Sequence, residues 1–207
     1  MLSIYSKKLR PQHEMDTIIA ALSGYEERTL KKWQKLTTTD SDYIHIIVSG
    51  EVEFRRESDE LCMFTVAGQC IFGLSSMFYH STHMYGLVRA NTVVRSIKKE
   101  DFIRELTEKN LWKELTKVLS WYVCILSKRD DILVARSAYA VVREFLLEIN
   151  DLIIQHKRDI NIYDYIQEYT SLARSTIIKI LSDLKKGNYI IVENGRLLNL
   201  TTLPEKY

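Results

Sequence analysis

Ser175, Lys179, Ser182 and Lys186 share one side of a short amphipathic run, with Arg174 and Ile178 on its flanks, and Ile177, Ile180, Leu181 and Leu184 share the other. At about 100° per residue, these positions fall on opposite faces of one helix. Hydroxyls alternating with cations make a face thin enough to enter the major groove of DNA, and Asp183 sits off its centre line. Arginine there offers guanine a bidentate fork, while lysine and hydroxyls reach other base edges or phosphates. The assignment that follows gives Arg174 to guanine, Ser175 and Lys179 to neighbouring bases, Ile178 to a thymine methyl, and Ser171, Thr176 and Lys186 to phosphates.

Such a face needs a frame, and the flanking residues supply one. Ile162, Ile166 and Tyr169 form the apolar side of a preceding short helix, and only Thr170, Ser171 and Leu172 separate the two. Helices joined so tightly cross steeply over a shared core, as in a helix-turn-helix. Gly187 stops the second helix and is expected to be left-handed. Tyr189–Val192 and Arg196–Leu200 read as strands around Asn194-Gly195, the signature of a type I′ hairpin and hence of a wing. A scaffold helix, 137–155, turns Val142, Phe145, Leu146, Ile149, Leu152 and Ile153 inward.

From Ser171 to Ile190 the chain resembles the CRP/FNR superfamily of transcription regulators. The recognition helix of that family typically reads Ser-Arg-x-Thr-Val, then Arg-x-Leu, then Gly or Asn before an apolar pair. The corresponding runs are Ala173-Arg174-Ser175-Thr176-Ile177, Lys179-Ile180-Leu181 and Gly187-Asn188-Tyr189-Ile190. Ala173 replaces the family's capping serine, so Ser171 is expected to cap the helix. Ser175 stands where the cyclic AMP regulator carries its base-reading acid, so the family's target sequence does not transfer.

Upstream the period changes. Leu30, Tyr43–Val48, Val52, Phe54, Cys62, Phe64, Val66 and Val88–Val94 fall in short alternating or β-branched runs broken by Gly50, Gly68 and Gly73, which indicates a small antiparallel barrel or jelly roll. Tyr43–Val52, Phe72-Gly73 and Val88-Arg89-Ala90 resemble the β-roll and the cassette borders of the family's cyclic-nucleotide-binding domain. Family members that bind cyclic AMP hold the ribose with Glu and the phosphate with Arg-Ser. Those positions are Leu74, Met84 and Tyr85 here, so the resemblance implies a lost nucleotide site. A buried phosphate without a cation would lack its partner at a cost of several kcal/mol.

Other sensory chemistries find no matching residues. An iron-sulfur centre of the family's kind needs N-terminal cysteines, and the first here is Cys62. His45, His80 and His83 lack a metal-ligand spacing, and no paired carboxylates or nucleophile-base pair suggest an enzyme. No cofactor is expected. The three cysteines, Cys62, Cys70 and Cys124, are odd in number without a C-x-x-C, which fits a reduced, cytoplasmic protein. Cys62 and Cys70, the candidates for a redox switch, read rather as core fillers. Neither a signal peptide nor an apolar run long enough to span a membrane is read.

Leu111, Leu115, Val118, Tyr122, Ile125, Arg129 and Ile132 step by four and three, a heptad seam expected to face a second copy. Arg129 would fix register, pair with Asp130 or Asp131, or mark where the copies splay. Trp112, Leu119, Leu126 and Leu133 are expected on the chain's own roll. Ile18, Ile19 and Leu22 mark an early helix with Asp16 as its cap, and a hinge is expected near 135–137.

The whole reads as an α+β chain of 207 residues: a β-roll (1–108), a dimerisation helix (109–136) and a winged helix-turn-helix (137–207). Net charge is +2, but residues 171–200 carry a local excess of three positive charges, which suits a selective DNA binder. The resemblance implies double-stranded DNA, a second copy and RNA polymerase as partners. Leu184–Ile190 and Leu203–Tyr207 are similar to the enterobacterial group named for inhibiting hydrogen peroxide resistance, which implies a stress response. The competing reading is an interaction protein that no longer reads DNA and antagonises, or heterodimerises with, another regulator.

Overall fold

The computed structural model describes residues 9–37, 42–79, 83–134 and 136–205, with the backbone alone at 155 and 156. Leu9–Cys124 forms one compact unit and the residues from Ile125 onward form another, so the division falls inside a long helix.

The first unit begins with α1 (Gln12–Ala21), whose Met15, Ile18 and Ile19 are buried. Asp16 is no cap: Pro11 holds that position without a side-chain bond, and Asp16 lies mid-helix accepting from Gln12 Nε2. Eight strands follow: β1 (Glu27–Leu30), β2 (Lys35–Leu36), β3 (Tyr43–Ser49), β4 (Glu51–Arg56), β5 (Cys62–Ala67), β6 (Cys70–Phe72), β7 (Met84–Val88) and β8 (Thr92–Lys98). They make two four-stranded antiparallel sheets, ordered β1-β8-β3-β6 and β2-β7-β4-β5. Alternation along β5 turns Cys62, Phe64 and Val66 inward. Phe54 stacks on Phe64 at 4.7 Å and meets Phe72 at 5.3 Å, so aromatic rings fill the centre of the roll. Gly50, at φ +117°, is required at the β3–β4 turn, since a methyl there would lie 2.3 Å from Thr92 Oγ1. Buried Arg95 fastens α1 to the roll: it donates to the carbonyls of Ile19 and Leu22 and pairs with Glu27 at 2.6 Å. It thereby satisfies carbonyls that the helix end leaves open. Cys62 and Cys70 are buried as expected of core fillers, and burial pushes the Cys70 thiol up to about 12.

After α2 (Lys99–Glu108) comes the long helix α3 (Trp112–Leu133). Its expected seam points the other way. Leu111, Leu115, Val118, Ile125, Arg129 and Ile132 are buried within the single chain, and the Tyr122 hydroxyl donates to the Ile71 carbonyl at 2.9 Å and accepts from its N–H. The neighbouring stripe is the outward one: Leu119 and Leu126 are half-buried, and Val123 is 61% exposed. Trp112 does pack on its own unit, stacked on Phe78 and bonded to Thr107. Asp131, an expected partner of Arg129, takes Lys128 and Arg136, each at 3.1 Å.

In the second unit, Ser137 caps α4 (Ala138–His156), its hydroxyl accepting from the Ala140 N–H. Ala135 of the expected hinge lies outside the described residues. Val142, Phe145, Leu146, Ile149 and Leu152 are at most 1% exposed. They form a core with α5 (Ile162–Tyr169), α6 (Arg174–Lys186) and the hairpin β9 (Ile190–Glu193)–β10 (Arg196–Leu200). Each large aliphatic so buried contributes about 1.5–3 kcal/mol of transfer free energy.

Candidate nucleic-acid interface

The interface is built on α6. Its inner face is closed: Ile177 and Leu181 are fully buried, Leu184 is 2% and Ile180 4% exposed. Arg174, Ser175, Ile178, Lys179 and Lys186 stand on the outer side and are exposed, while Thr176 and Ser182 are half-buried at its flank. Ser171 is exposed in the turn, but it does not cap the helix. Ala173 takes the cap position with no side-chain bond, and the buried hydroxyl of the turn is Thr170, which donates to the Ile166 carbonyl at 2.7 Å. Among the described residues no side chain accepts from the first-turn amides of α6, and the Thr176 N–H reaches the Ala173 carbonyl instead.

Gly187 ends the helix, though not in the left-handed conformation expected of it. Its φ is −78°, and the left-handed residue is Asn188 at +58°. The Tyr189 N–H reaches the Leu184 carbonyl and the Asn188 N–H that of Lys185, a Schellman closure that places the positive φ one residue after the cap. At Gly187 a Cβ would lie 2.6 Å from the Tyr189 ring, so a side chain there would have to displace that ring.

The hairpin turns on Asn194 (φ +50°) and Gly195 (φ +79°), the conformation a type I′ turn demands. Its tip is seated on the start of α5. The Ile162 N–H donates to the Gly195 carbonyl, a Cβ at Gly195 would meet the Asn161 side chain at 2.6 Å, and Arg196 pairs with Asp159 at 2.6 Å. Asn161 is itself the cap of α5.

Two residues of the interface escaped the sequence reading. Arg174 Nη1 donates to Gln167 Oε1 at 2.8 Å and lies 3.3 Å from Asp164 Oδ1, both on α5. Their spacing of three along a helix was the available signal, but it names no partner on another helix. Lys186 lies 3.6 Å from Asp183.

In the roll, Leu74 is buried, Met84 is half-buried, and buried Tyr85 lies under the Lys35 ammonium at 4.2 Å. Tyr85 pairs across the strands with Arg55. A separate cleft of about 670 Å³, lined by none of those three, opens beside edge strands β1 and β2. Its wall includes His45, whose Nδ1 lies 2.9 Å from Ser96 Oγ. His83 is exposed and His80 lies outside the described residues. Among the described residues no cluster of three or more metal-ligating side chains forms, and no helix is long and apolar enough to cross a membrane.

A β-roll followed by a winged helix-turn-helix is the fold that this chain shares with solved structures of CRP/FNR-family regulators. Residues 138–205 match the family model described as winged helix-turn-helix DNA binding. Across its whole length the chain is 27% identical to the inhibitor of hydrogen peroxide resistance of Escherichia coli K12, covering 100% of both, and 24% identical to that of Salmonella typhimurium. Among solved structures it is similar to the c-di-GMP responsive global regulator CLP of Xanthomonas campestris, with a TM-score of 0.69, 13% identity and coverage of 90% of this chain and 100% of that one. A CRP/FNR-family regulator from Eubacterium rectale matches with a TM-score of 0.67 at 13% identity, covering 90% and 89%. CooA of Carboxydothermus hydrogenoformans matches at 0.63 and 18%, covering 87% and 85%.

Proposed function

We propose that the chain is a sequence-specific transcription regulator that binds a pseudo-palindromic DNA site as a homodimer, one α6 in each major-groove half-site about a helical turn apart. The observation that carries this is the division of α6 into a fully closed apolar side and an exposed side of Arg174, Ser175, Ile178, Lys179 and Lys186. The uncapped first-turn amides add a place where a helix end meets a phosphate oxygen. Selection of bound fragments from genomic DNA at two salt concentrations tests the reading: a recurring motif with a steep salt dependence supports it, and no enrichment refutes it.

The copies join through the outward stripe of α3, where Leu119, Val123, Leu126 and Leu133 repeat at heptad spacing, and not through the buried seam. Cyclic AMP is not the effector, because Leu74, Met84 and Tyr85 supply neither the carboxylate nor the cation it would need; calorimetric titration should detect no micromolar affinity. RNA polymerase is the expected partner at a promoter, and the relatives' name suggests a role in peroxide stress.

A second reading, an interaction protein that does not read DNA, draws on one observation. Arg174, Lys186 and Arg196 each lie within 4 Å of a carboxylate, Asp164, Asp183 and Asp159 in turn, which lowers the net charge offered to a phosphate backbone. The same fragment selection separates the two readings.

A further inference from the structure

Arginine in the first turn of a recognition helix has two destinations, a base edge or a phosphate. Only the first carries sequence information. In this chain Asp164 and Gln167 weight that choice. They lie three residues apart on α5, hence on one side of it, and both accept from Nη1 of Arg174, at 3.3 and 2.8 Å. Nη1 carries two hydrogens, and these two acceptors take both. The hydrogens on Nη2 and Nε make no bond to any described residue, and such adjacent donors are what the O6 and N7 atoms of guanine accept. The Asp164 carboxylate, its side chain 64% exposed beside a guanidinium 54% exposed, has a second effect. It offsets the positive charge that would draw Arg174 to a phosphate while leaving the directional donors in place.

We propose that Asp164 and Gln167 are specificity-determining positioning residues that act through Arg174, holding its fork toward a base edge and away from the phosphate backbone. The inference rests on α6 being the recognition helix.

The experiment uses the full chain and the motif recovered by fragment selection. Anisotropy titrations on a motif duplex and on a scrambled duplex, each over a range of salt, compare wild type with Asp164→Asn, Gln167→Ala, Arg174→Ala and the double variant Asp164→Asn/Arg174→Ala. Asp164→Asn should tighten binding to the scrambled duplex severalfold, steepen its salt dependence by about one per protomer, and cut the motif-to-scrambled ratio by about tenfold. Gln167→Ala should weaken motif binding severalfold and leave scrambled binding alone. Without Arg174, Asp164→Asn should no longer change the ratio, the signature of action through that side chain. All these side chains are exposed, so melting curves should coincide with wild type. If the ratio is unchanged in both single variants, or if Asp164→Asn acts equally without Arg174, the proposal is overturned while the recognition-helix reading stands. If wild type selects no motif at all, that reading falls and this proposal with it.

Discussion

Replacing Lys186 with alanine should flatten the salt dependence of DNA binding without changing which sequence is bound. Lys186 sits in the last turn of α6 with its side chain 77% exposed, and Asp183, its nearest carboxylate, is 3.6 Å away. That separation is too long to immobilise the ammonium, so it stays available to a phosphate. Each phosphate neutralised contributes about −0.9 to the slope of log K against log salt, and the proposed homodimer would present two copies of Lys186. The variant's slope should therefore be shallower by about 1.8. Raised fourfold, the salt concentration would weaken wild type by about an extra tenfold relative to the variant, since four to the power 1.8 is about 12. Fluorescence anisotropy at four or five salt concentrations, on motif and scrambled duplexes alike, reads both slopes. The loss at any one salt concentration should be the same on both duplexes. By contrast, Arg174→Ala should cost about 1–3 kcal/mol per half-site on the motif alone. An unchanged slope for Lys186→Ala, or a loss confined to the motif, would show that Lys186 is not a phosphate contact and that the charged end of α6 points elsewhere.

Three further outcomes follow from the structure. If copies join through the outward stripe of α3 as proposed, Val123→Glu should sediment as a monomer where wild type sediments as a dimer and should leave the melting of the first unit intact, whereas Val118→Glu, at a fully buried site, should unfold that unit. Gly187→Ala should lower stability by about 1–3 kcal/mol in denaturant titration, because its methyl would overlap the Tyr189 ring. Burial lowers the pKa of His45 from 6.5 to about 4. The unfolded chain thus takes up a proton that the folded chain refuses, so unfolding free energy should be highest above pH 6.5 and fall by about 2–3 kcal/mol as pH drops toward 4. His45→Gln should remove that part of the slope, and an identical pH profile would refute the assignment.

Much of the second unit was legible because its signals are local. Ile177, Ile180, Leu181 and Leu184 can face only one way on a helix, and Asn194-Gly195 admits essentially one turn. The α3 spine failed for the opposite reason. Leu111, Val118, Ile125 and Ile132 make one heptad stripe, and Trp112, Leu119, Leu126 and Leu133, each the next residue along, make another, so spacing does not choose between them. The choice is made in three dimensions, where the Tyr122 hydroxyl finds the Ile71 backbone. The cap of α6 falls at Ala173 rather than Ser171, and the positive φ at Asn188 rather than Gly187, since capping geometry is decided by which amide meets which carbonyl rather than by residue type. Asp164 and Gln167 carry no period of their own and acquire meaning only when α5 is laid across α6.

Seating the Asn194-Gly195 turn on the Asn161 cap, with Arg196 and Asp159 paired beside it, should make the wing and α5 move as one block. A block of that kind does not mould itself to its target, so any misfit between protein and duplex has to be absorbed by the duplex. Operators should then be ranked partly by how cheaply they bend or narrow a groove, at base pairs that no side chain touches.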